Sequence, residues 1–317
     1  MKKIFSYSLS LGVAIGLTPL IAFADSSSIN FEPPTYSLGS IHLQDGWSSL
    51  GSAGSGCATY DHAVASNTYG YTTFATQSLR LSNAVTSGCF GDQTFSKSLA
   101  NEAGETSATN AGMSAGTRQA HFDISFDIAS TVPSAQQVGM LMSVAPDRGD
   151  GARMSYLRFE DGLSGLDVFF DDVQGTGNPA NFVETQVATG LNRATPHRIR
   201  FSIDFVDGPS NDVVKIYIDG FLVHTGTTWE NYFRYDNEAL PEAGTRTVDS
   251  LLFRTGGSAV PGNVGKGFLF DNLTLSSGPT PVGPPTNKEQ CKNDGWTIFN
   301  NPTFKNQGDC VSYTNRP

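Results

Sequence analysis

Apolar and polar residues alternate with period two in the clearest stretches of the chain. Phe122, Ile124, Phe126 and Ile128 interleave with His121, Asp123, Ser125 and Asp127. Ile199, Phe201, Ile203 and Phe205 interleave in the same way with Arg198, Arg200, Ser202 and Asp204. Successive side chains of a strand point to opposite faces, so each stretch predicts a strand with one buried face. Val214, Ile216 and Ile218 resume the pattern after Asp207-Gly208-Pro209-Ser210-Asn211-Asp212, a run of turn formers, which predicts a hairpin over 198–223. Further strands are predicted at 76–82, 137–144, 153–160, 165–171, 248–254 and 267–275, and no segment carries a convincing helical stripe. Many short strands joined by Gly-rich turns predict an all-β fold, a two-sheet antiparallel jelly-roll sandwich.

The last of these strands changes phase. Phe268 and Phe270 share one parity, whereas Leu273 and Leu275 resume one position out of step, with Asp271-Asn272 between them. This predicts a bulge at Asp271. Two readings stand there: a carboxylate placed to ligate a cation such as Ca²⁺, which takes oxygen donors from acidic side chains and irregular backbone, or a turn-forming Asp-Asn pair.

Residues 1–24 have the form of a secretory signal peptide, with Lys2 and Lys3 before an apolar run and Ala22-Phe23-Ala24 as the cleavage pattern. Cleavage near Ala24 predicts a secreted chain, extracellular or periplasmic. No later run approaches the roughly 18–20 apolar residues that cross a bilayer, so no transmembrane segment is expected in the mature chain. The jelly roll is assigned to 25–275. A Pro/Gly-rich linker at 276–287 follows, because Ser276-Ser277-Gly278-Pro279-Thr280-Pro281-Val282-Gly283-Pro284-Pro285 loses backbone donors at its prolines and offers little surface to bury. Residues 288–317 are too few to hold a core unless stapled.

Composition adds three constraints. Thirty acidic against 20 basic residues, a net charge of -10, disfavour nucleic acid as a partner. The 4 cysteines, in an oxidising compartment, are most simply two disulfides. Of the three pairings, the local one, Cys57 with Cys89 and Cys291 with Cys310, is favoured because the linker separates the two pairs. The tail is expected to be a disulfide-closed hairpin around Trp296, Phe299 and Phe304.

Chemistry is concentrated in Trp229-Glu230-Asn231-Tyr232-Phe233-Arg234-Tyr235. A sugar presents apolar C–H faces and a rim of hydroxyls, so its site needs flat aromatics beside hydrogen-bonding side chains. Trp229, Glu230, Asn231, Tyr232, Arg234 and Tyr235 are therefore the carbohydrate-binding candidates, against the reading in which Trp229 and Phe233 pin the loop onto the sandwich. Glu230 is the sole acid or base candidate of the segment, without an assignable second carboxylate. Glu160-Asp161 are adjacent and should point to opposite faces, which argues against a catalytic pair. Gly112-Met113-Ser114-Ala115-Gly116 lacks the strand and helix of a nucleophile elbow. Arg148-Gly149-Asp150 is read as a chance Arg-Gly-Asp tripeptide. His197 and His224 bracket one hairpin and are the histidines with a prospect of meeting.

Lys215-Ile216-Tyr217-Ile218-Asp219-Gly220-Phe221-Leu222-Val223, preceded by Pro196-His197-Arg198-Ile199-Arg200-Phe201, resembles the hairpin of laminin-G-type and other concanavalin A-like lectin/glucanase domains. Ile29-Asn30-Phe31-Glu32 and Leu269-Phe270-Asp271-Asn272-Leu273 resemble the first and last strands of carbohydrate-binding jelly rolls. That resemblance implies a structural calcium held by Glu32 and Asp271, no organic cofactor, and a polysaccharide partner. The glucanases of this fold carry Glu-x-Asp-x-x-Glu on one strand, and the jelly-roll alginate lyases carry Gln-Ile-His and Tyr-x-Lys-x-Gly-x-Tyr; none of these occurs here. The expected function is therefore secreted, non-catalytic, lectin-like binding of an extracellular or cell-surface polysaccharide. The alternatives are a glycan-cleaving hydrolase or lyase of the same fold and a structural or adhesive surface protein. Cys291-Lys292-Asn293-Asp294-Gly295-Trp296 with Phe304-Lys305-Asn306-Gln307-Gly308-Asp309-Cys310-Val311 resembles a small segment that recurs at the C-termini of secreted bacterial proteins.

Overall fold

A computed structural model describes residues 25–316 apart from 50–59, 87–92, 106–115, 150, 152–154, 175–181, 227–229, 236–245 and 256–257. The signal-peptide span, Cys57, Cys89, Ser114 and Trp229 lie outside the described residues. The chain begins with β1 (Asp25–Ile29), β2 (Gly39–Ser40), β3 (His62–Ser66), β4 (Gln77–Leu81), β5 (Gln93–Phe95) and β6 (Ala103–Gly104). The longest run follows: β7 (His121–Ser130), β8 (Leu141–Asp147), β9 (Tyr156–Asp161), β10 (Leu166–Val173), β11 (Phe182–Leu191), β12 (His197–Asp204), β13 (Val213–Ile218) and β14 (Phe221–Gly226). A short helix, α1 (Asn231–Tyr235), precedes β15 (Thr247–Val248), β16 (Ser250–Arg254) and β17 (Phe268–Gly278), and a second helix, α2 (Gln307–Thr314), closes the tail.

Two antiparallel sheets stack as a sandwich. The larger runs β14-β13-β12-β7-β17-β4-β3-β2, with β1 also on β17, and the smaller runs β11-β10-β9-β8-β16-β5. Alternation sets the core. Phe122, Ile124, Phe126 and Ile128 of β7 and Ile199, Phe201 and Ile203 of β12 are fully buried, facing Leu157, Phe159, Val168 and Phe170 of the smaller sheet within one cluster. Phe126 lies edge-on to Phe159 at 6.1 Å, and Phe170 to Phe201 at 6.0 Å, so aromatic contacts join the two layers.

The predicted hairpin is present, β12 pairing antiparallel with β13 from Ile199 opposite Ile218 to Asp204 opposite Val213, and a second, tighter turn joins β13 to β14. Asp219 and Gly220 take φ of 52° and 84°, the left-handed pair of a two-residue turn whose twist matches the strands it joins. Asp219 fastens the turn by accepting from the Arg198 N–H and pairing with His197 Nδ1, each at 2.8 Å.

The bulge is also present, and the strand's neighbours explain it. β17 pairs with β4 through Phe268–Phe270 and with β1 through Leu273–Ser277, while its register on β7 slips between Asp271 and Thr274. Asn272, at φ 51°, absorbs the extra residue. The out-of-step leucines are thereby returned to the core: Phe268, Phe270, Leu273 and Leu275 are all fully buried. Ser276–Gly278, placed in the linker from composition, are the last three residues of β17.

The tail departs from the predicted hairpin. Cys291 and Cys310 are bridged, but the segment is helical: 3₁₀ turns at Lys288–Cys291 and Gly295–Ile298, then α2. The reason is capping. Asn287 accepts from the N–H groups of Glu289 and Gln290, and Asn306 accepts from Asp309, which satisfies orphan donors that strands would not have. Phe299, Phe304 and Trp296 pack around the bridge as a cluster separate from the sandwich core, with Phe299 edge-on to Phe304 at 5.9 Å.

Because that cluster is so small, the bridge should carry most of its stability. Replacing Cys291 and Cys310 by Ser, which opens a loop of sequence separation 19, is expected to cost the tail roughly 3 kcal/mol. Limited proteolysis should then cut within 288–316 while the thermal midpoint of the sandwich stays in place.

Candidate functional site

Because each strand must bury alternate residues between the sheets, the other residues of β9 and β10 form the outer face of the smaller sheet. Tyr156, Arg158 and Glu160 project from β9, and Asp167, Phe169 and Asp171 from β10, each set alternating with buried Leu157, Phe159, Val168 and Phe170. Register places Arg158 opposite Phe169 and Tyr156 opposite Asp171, and on the edge strand Gln186 lies opposite Phe169 and Glu184 opposite Asp171. Across the other flank Arg158 faces Ser143, itself opposite Arg254. Each of these two cross-strand rows therefore sets one aromatic ring, Phe169 or Tyr156, among polar and charged side chains.

Arg158 is the centre of this face. Its guanidinium lies 4.4 Å from the Phe169 ring centroid and donates to three carboxylates on three strands: Glu160, Glu184, and Asp171 at 3.4 Å. Burial raises the Asp171 pKa; Arg158 opposes the shift and the charges of Glu184 and Asp172 reinforce it. Glu184 is half exposed, whereas Asp171 is almost covered. Tyr156 packs against Phe182 at 5.3 Å, and Phe182 stacks on Tyr232 at 6.0 Å and 24°. An aromatic ladder thus leads from the arginine face to α1.

The sequence-predicted carbohydrate loop occupies that far end, and most of its polar groups turn inward. Glu230 and Asn231 are fully buried and Tyr232 nearly so, while Arg234 and Tyr235 are partly exposed. Arg234 donates through Nε to Glu230 at 2.7 Å and through its other arm to Glu105, which also receives Arg246. Asn231 donates to the Val173 carbonyl and to Ser210 Oγ. Asp212 and Glu230 meet carboxyl to carboxyl; burial first, then the Glu230 hydrogen bond and charge, push Asp212 well above the ordinary carboxyl range, so the pair holds a proton at neutral pH.

The two calcium candidates are brought to one place by the bulge. Glu32 follows β1, and its carboxylate accepts from the N–H groups of Thr76 and Gln77 at 2.7 and 2.8 Å and from the Thr76 hydroxyl, tying down the start of β4 where β17 changes partners. Burial pushes the Glu32 carboxyl up, but these hydrogen bonds outweigh it and hold it below its usual value. Asp271 is nearly buried. Desolvation pushes it up to about 7, with the Glu32 and Asp127 charges adding to the shift and the Asn272 N–H opposing it. No three acidic, His or Cys side chains among the described residues are spaced to share one metal. A cation here would need amide and backbone oxygens as well. Asn67 Oδ1 and Gln77 Oε1, in the loop and strand that Glu32 tethers, are buried without a hydrogen-bond partner. Carboxylate and amide oxygens are the kinds of donor that a hard cation such as Ca²⁺ takes.

The other sequence candidates separate. Glu160 faces outward and Asp161 inward, where Asp161 accepts from Arg193 at 2.8 Å and from the Gln137 N–H. Glu160 gains its carboxylate neighbours across strands, which the adjacency argument did not reach. His197 is engaged with Asp219, whereas His224 packs on Phe170 at 4.8 Å. Arg148 of the Arg-Gly-Asp tripeptide is buried.

No family model matches the chain, and no curated protein matches it. Solved structures with a similar fold include an alginate lyase in complex with an alginate tetrasaccharide, at 16% identity and TM-score 0.44 over 79% of this chain and 96% of that one. An endo-1,3-beta-glucanase from Streptomyces sioyaensis matches at 14% identity and TM-score 0.39, over 80% and 97%. A carbohydrate-binding module from Bacillus subtilis matches at 12% identity and TM-score 0.34, over 73% and 96%. The overlaps are shallow, and the chemistry of the present face rests on its own residues.

The buried carboxyl pair yields a pH prediction. Because folding raises the Asp212 pKa, its contribution to stability is complete below the unfolded carboxyl value near 3.8 and is lost as pH rises toward the higher folded value. Asp212→Asn retains an acceptor for the Val206 N–H and donates to Glu230 without needing a proton. Denaturant midpoints should therefore fall with pH from about 4 upward in the wild type and much less in Asp212→Asn, which should be the more stable protein at pH 8.

Proposed function

We propose that this protein binds polysaccharide, without cleaving it, along the outer face of the six-stranded sheet. The observation that carries this reading is the row in which Arg158 lies over Phe169 and gathers Glu160, Asp171 and Glu184 from three strands, with Tyr156 and Phe182 alongside. Such a surface offers apolar ring faces for sugar C–H groups and carboxylate oxygens for sugar hydroxyls. Sheet strands hold both sets in place, so little ordering entropy opposes binding.

The same contacts favour binding over turnover. A glycosidase needs one carboxyl free to give a proton and a second free to attack or to activate water. Here one guanidinium bonds all three nearby carboxylates, which makes them a fixed array of acceptors. On the outer face of the larger sheet each of three carboxylates is matched by a cation of its own, Arg198 on Asp127, Arg200 on Asp123 and His121 on Asp204. Affinity electrophoresis should show retention of the wild type in a polysaccharide gel and roughly tenfold weaker retention for Phe169→Ala, the scale of a lost aromatic contact. Reducing-end and unsaturated-uronate assays should show no product; turnover that survives purification would favour the cleaving alternative.

A calcium ion at the β17 bulge completes the reading, held by Glu32 and Asp271 together with neighbouring oxygen donors. When bound, it would neutralise Asp271 and fix the point where β1 and β4 exchange places on β17. Since Asp271 is pushed up to about 7, calcium competes there with a proton. Stabilisation by calcium should grow between pH 5 and 8 and disappear in Asp271→Asn, read as a thermal shift of about 2–4 °C per kcal/mol of coupling.

A further inference from the structure

We propose that the arginine face selects uncharged polysaccharides and excludes polyuronates and sulfated chains. This inference rests on the glycan-binding reading of that face and deepens it to a class of ligand.

Charge on the sheet points this way. Outward positions of β9, β10 and β11 carry four carboxylates, Glu160, Asp167, Asp171 and Glu184, and the cations across the same sheet are Arg158 and Arg254. No lysine occurs in β8, β9, β10, β11 or β16, so those strands supply no mobile ammonium to meet a ligand anion.

Each nitrogen of Arg158 already faces a protein carboxylate, which takes up three of its five N–H groups. A guanidinium recognises a carboxylate or sulfate by presenting a free pair of parallel N–H groups. In Arg158 the Nε faces Asp171, one terminal nitrogen faces Glu160 and the other Glu184. A uronate arriving here would share one guanidinium with three protein carboxylates and lie among their like charges. A neutral sugar meets no such conflict. Its hydroxyls donate to carboxylate oxygens already held in position, and its ring faces meet Phe169, Tyr156 and Phe182. The surplus of negative charge on the chain as a whole, -10, adds long-range repulsion of a polyanion.

The test is affinity electrophoresis of the full chain against neutral polymers (β-glucan, xylan, galactomannan, fructan) and anionic ones (alginate, pectate, sulfated galactan). It is run at low and high salt with wild type, Arg158→Gln, Phe169→Ala and the pair Glu160→Gln with Glu184→Gln. Thermal melts establish which variants are folded. The expected result is retention by at least one neutral polymer, at least tenfold stronger than by any anionic one and weakened in Phe169→Ala. Anionic retention should rise in the doubly neutralised variant. Glu184→Gln alone, at an exposed edge position, should shift anionic binding in the same direction, which keeps the test decisive if Arg158→Gln does not fold. A polyuronate or sulfated chain bound as tightly as the best neutral one, and lost in Phe169→Ala, would overturn the neutral preference while leaving the binding face in place. Retention unchanged in every face variant, or no retention by any polymer, would overturn the face itself and the preference with it.

Discussion

Every strand of this protein that enters the shared core must spend alternate residues on it, and that single constraint decides what the outside can be. Phe159 and Phe170 fill the space between the sheets, so Arg158 and Phe169 necessarily face out, side by side. The hydrophobic contact between the layers is what fixes the register, because a slip of one residue would turn five aromatic and aliphatic side chains of β9 and β10 into solvent and their charged neighbours into the core. The geometry of the arginine face is therefore maintained by packing on the opposite side of the same strands.

The acidic character of the chain has to be managed within this frame, and it is managed in three different ways. On the outer face one guanidinium serves three carboxylates. Beneath α1, Glu105 is surrounded by Arg234 and Arg246, while the remaining carboxyl pair, Asp212 with Glu230, keeps a proton because two buried charges in contact would repel. At the β17 bulge Asp271 lies near the charges of Glu32 and Asp127, with Arg198 engaged on Asp127. Each arrangement leaves a different chemical opportunity: acceptors for hydroxyl groups, a pH-dependent contribution to stability, and oxygen donors for a hard cation.

Much of the fold was legible from residue spacing. The alternation of β7 and β12, the run of turn formers from Asp207 to Asp212 between β12 and β13 and the phase change at Asp271 each have a local cause and a local signature. β11 escaped because it is an edge strand whose side chains are partly exposed on both faces, so no clean period-two pattern marks it. The helical tail escaped because its signals are the caps at Asn287 and Asn306 rather than an apolar stripe. The arginine face was harder still. Its carboxylates come from β9, β10 and β11, and no spacing along the chain links Glu160, Asp171 and Glu184. The available clue was the outward series Tyr156-x-Arg158-x-Glu160 beside Asp167-x-Phe169-x-Asp171 on two predicted neighbours. In the 229–235 segment, composition suggested a sugar site, but polar and aromatic residues build a buried network as readily as an exposed platform. Tyr232, stacked on Phe182, connects that segment to the face.

The most direct measurement of the central claim is amide hydrogen exchange of the full chain with and without a saturating neutral oligosaccharide. The account predicts added protection in 156–160, 166–171 and 182–187, with the larger sheet and the tail unchanged. Protection confined to the larger sheet or to residues 288–316 would contradict it.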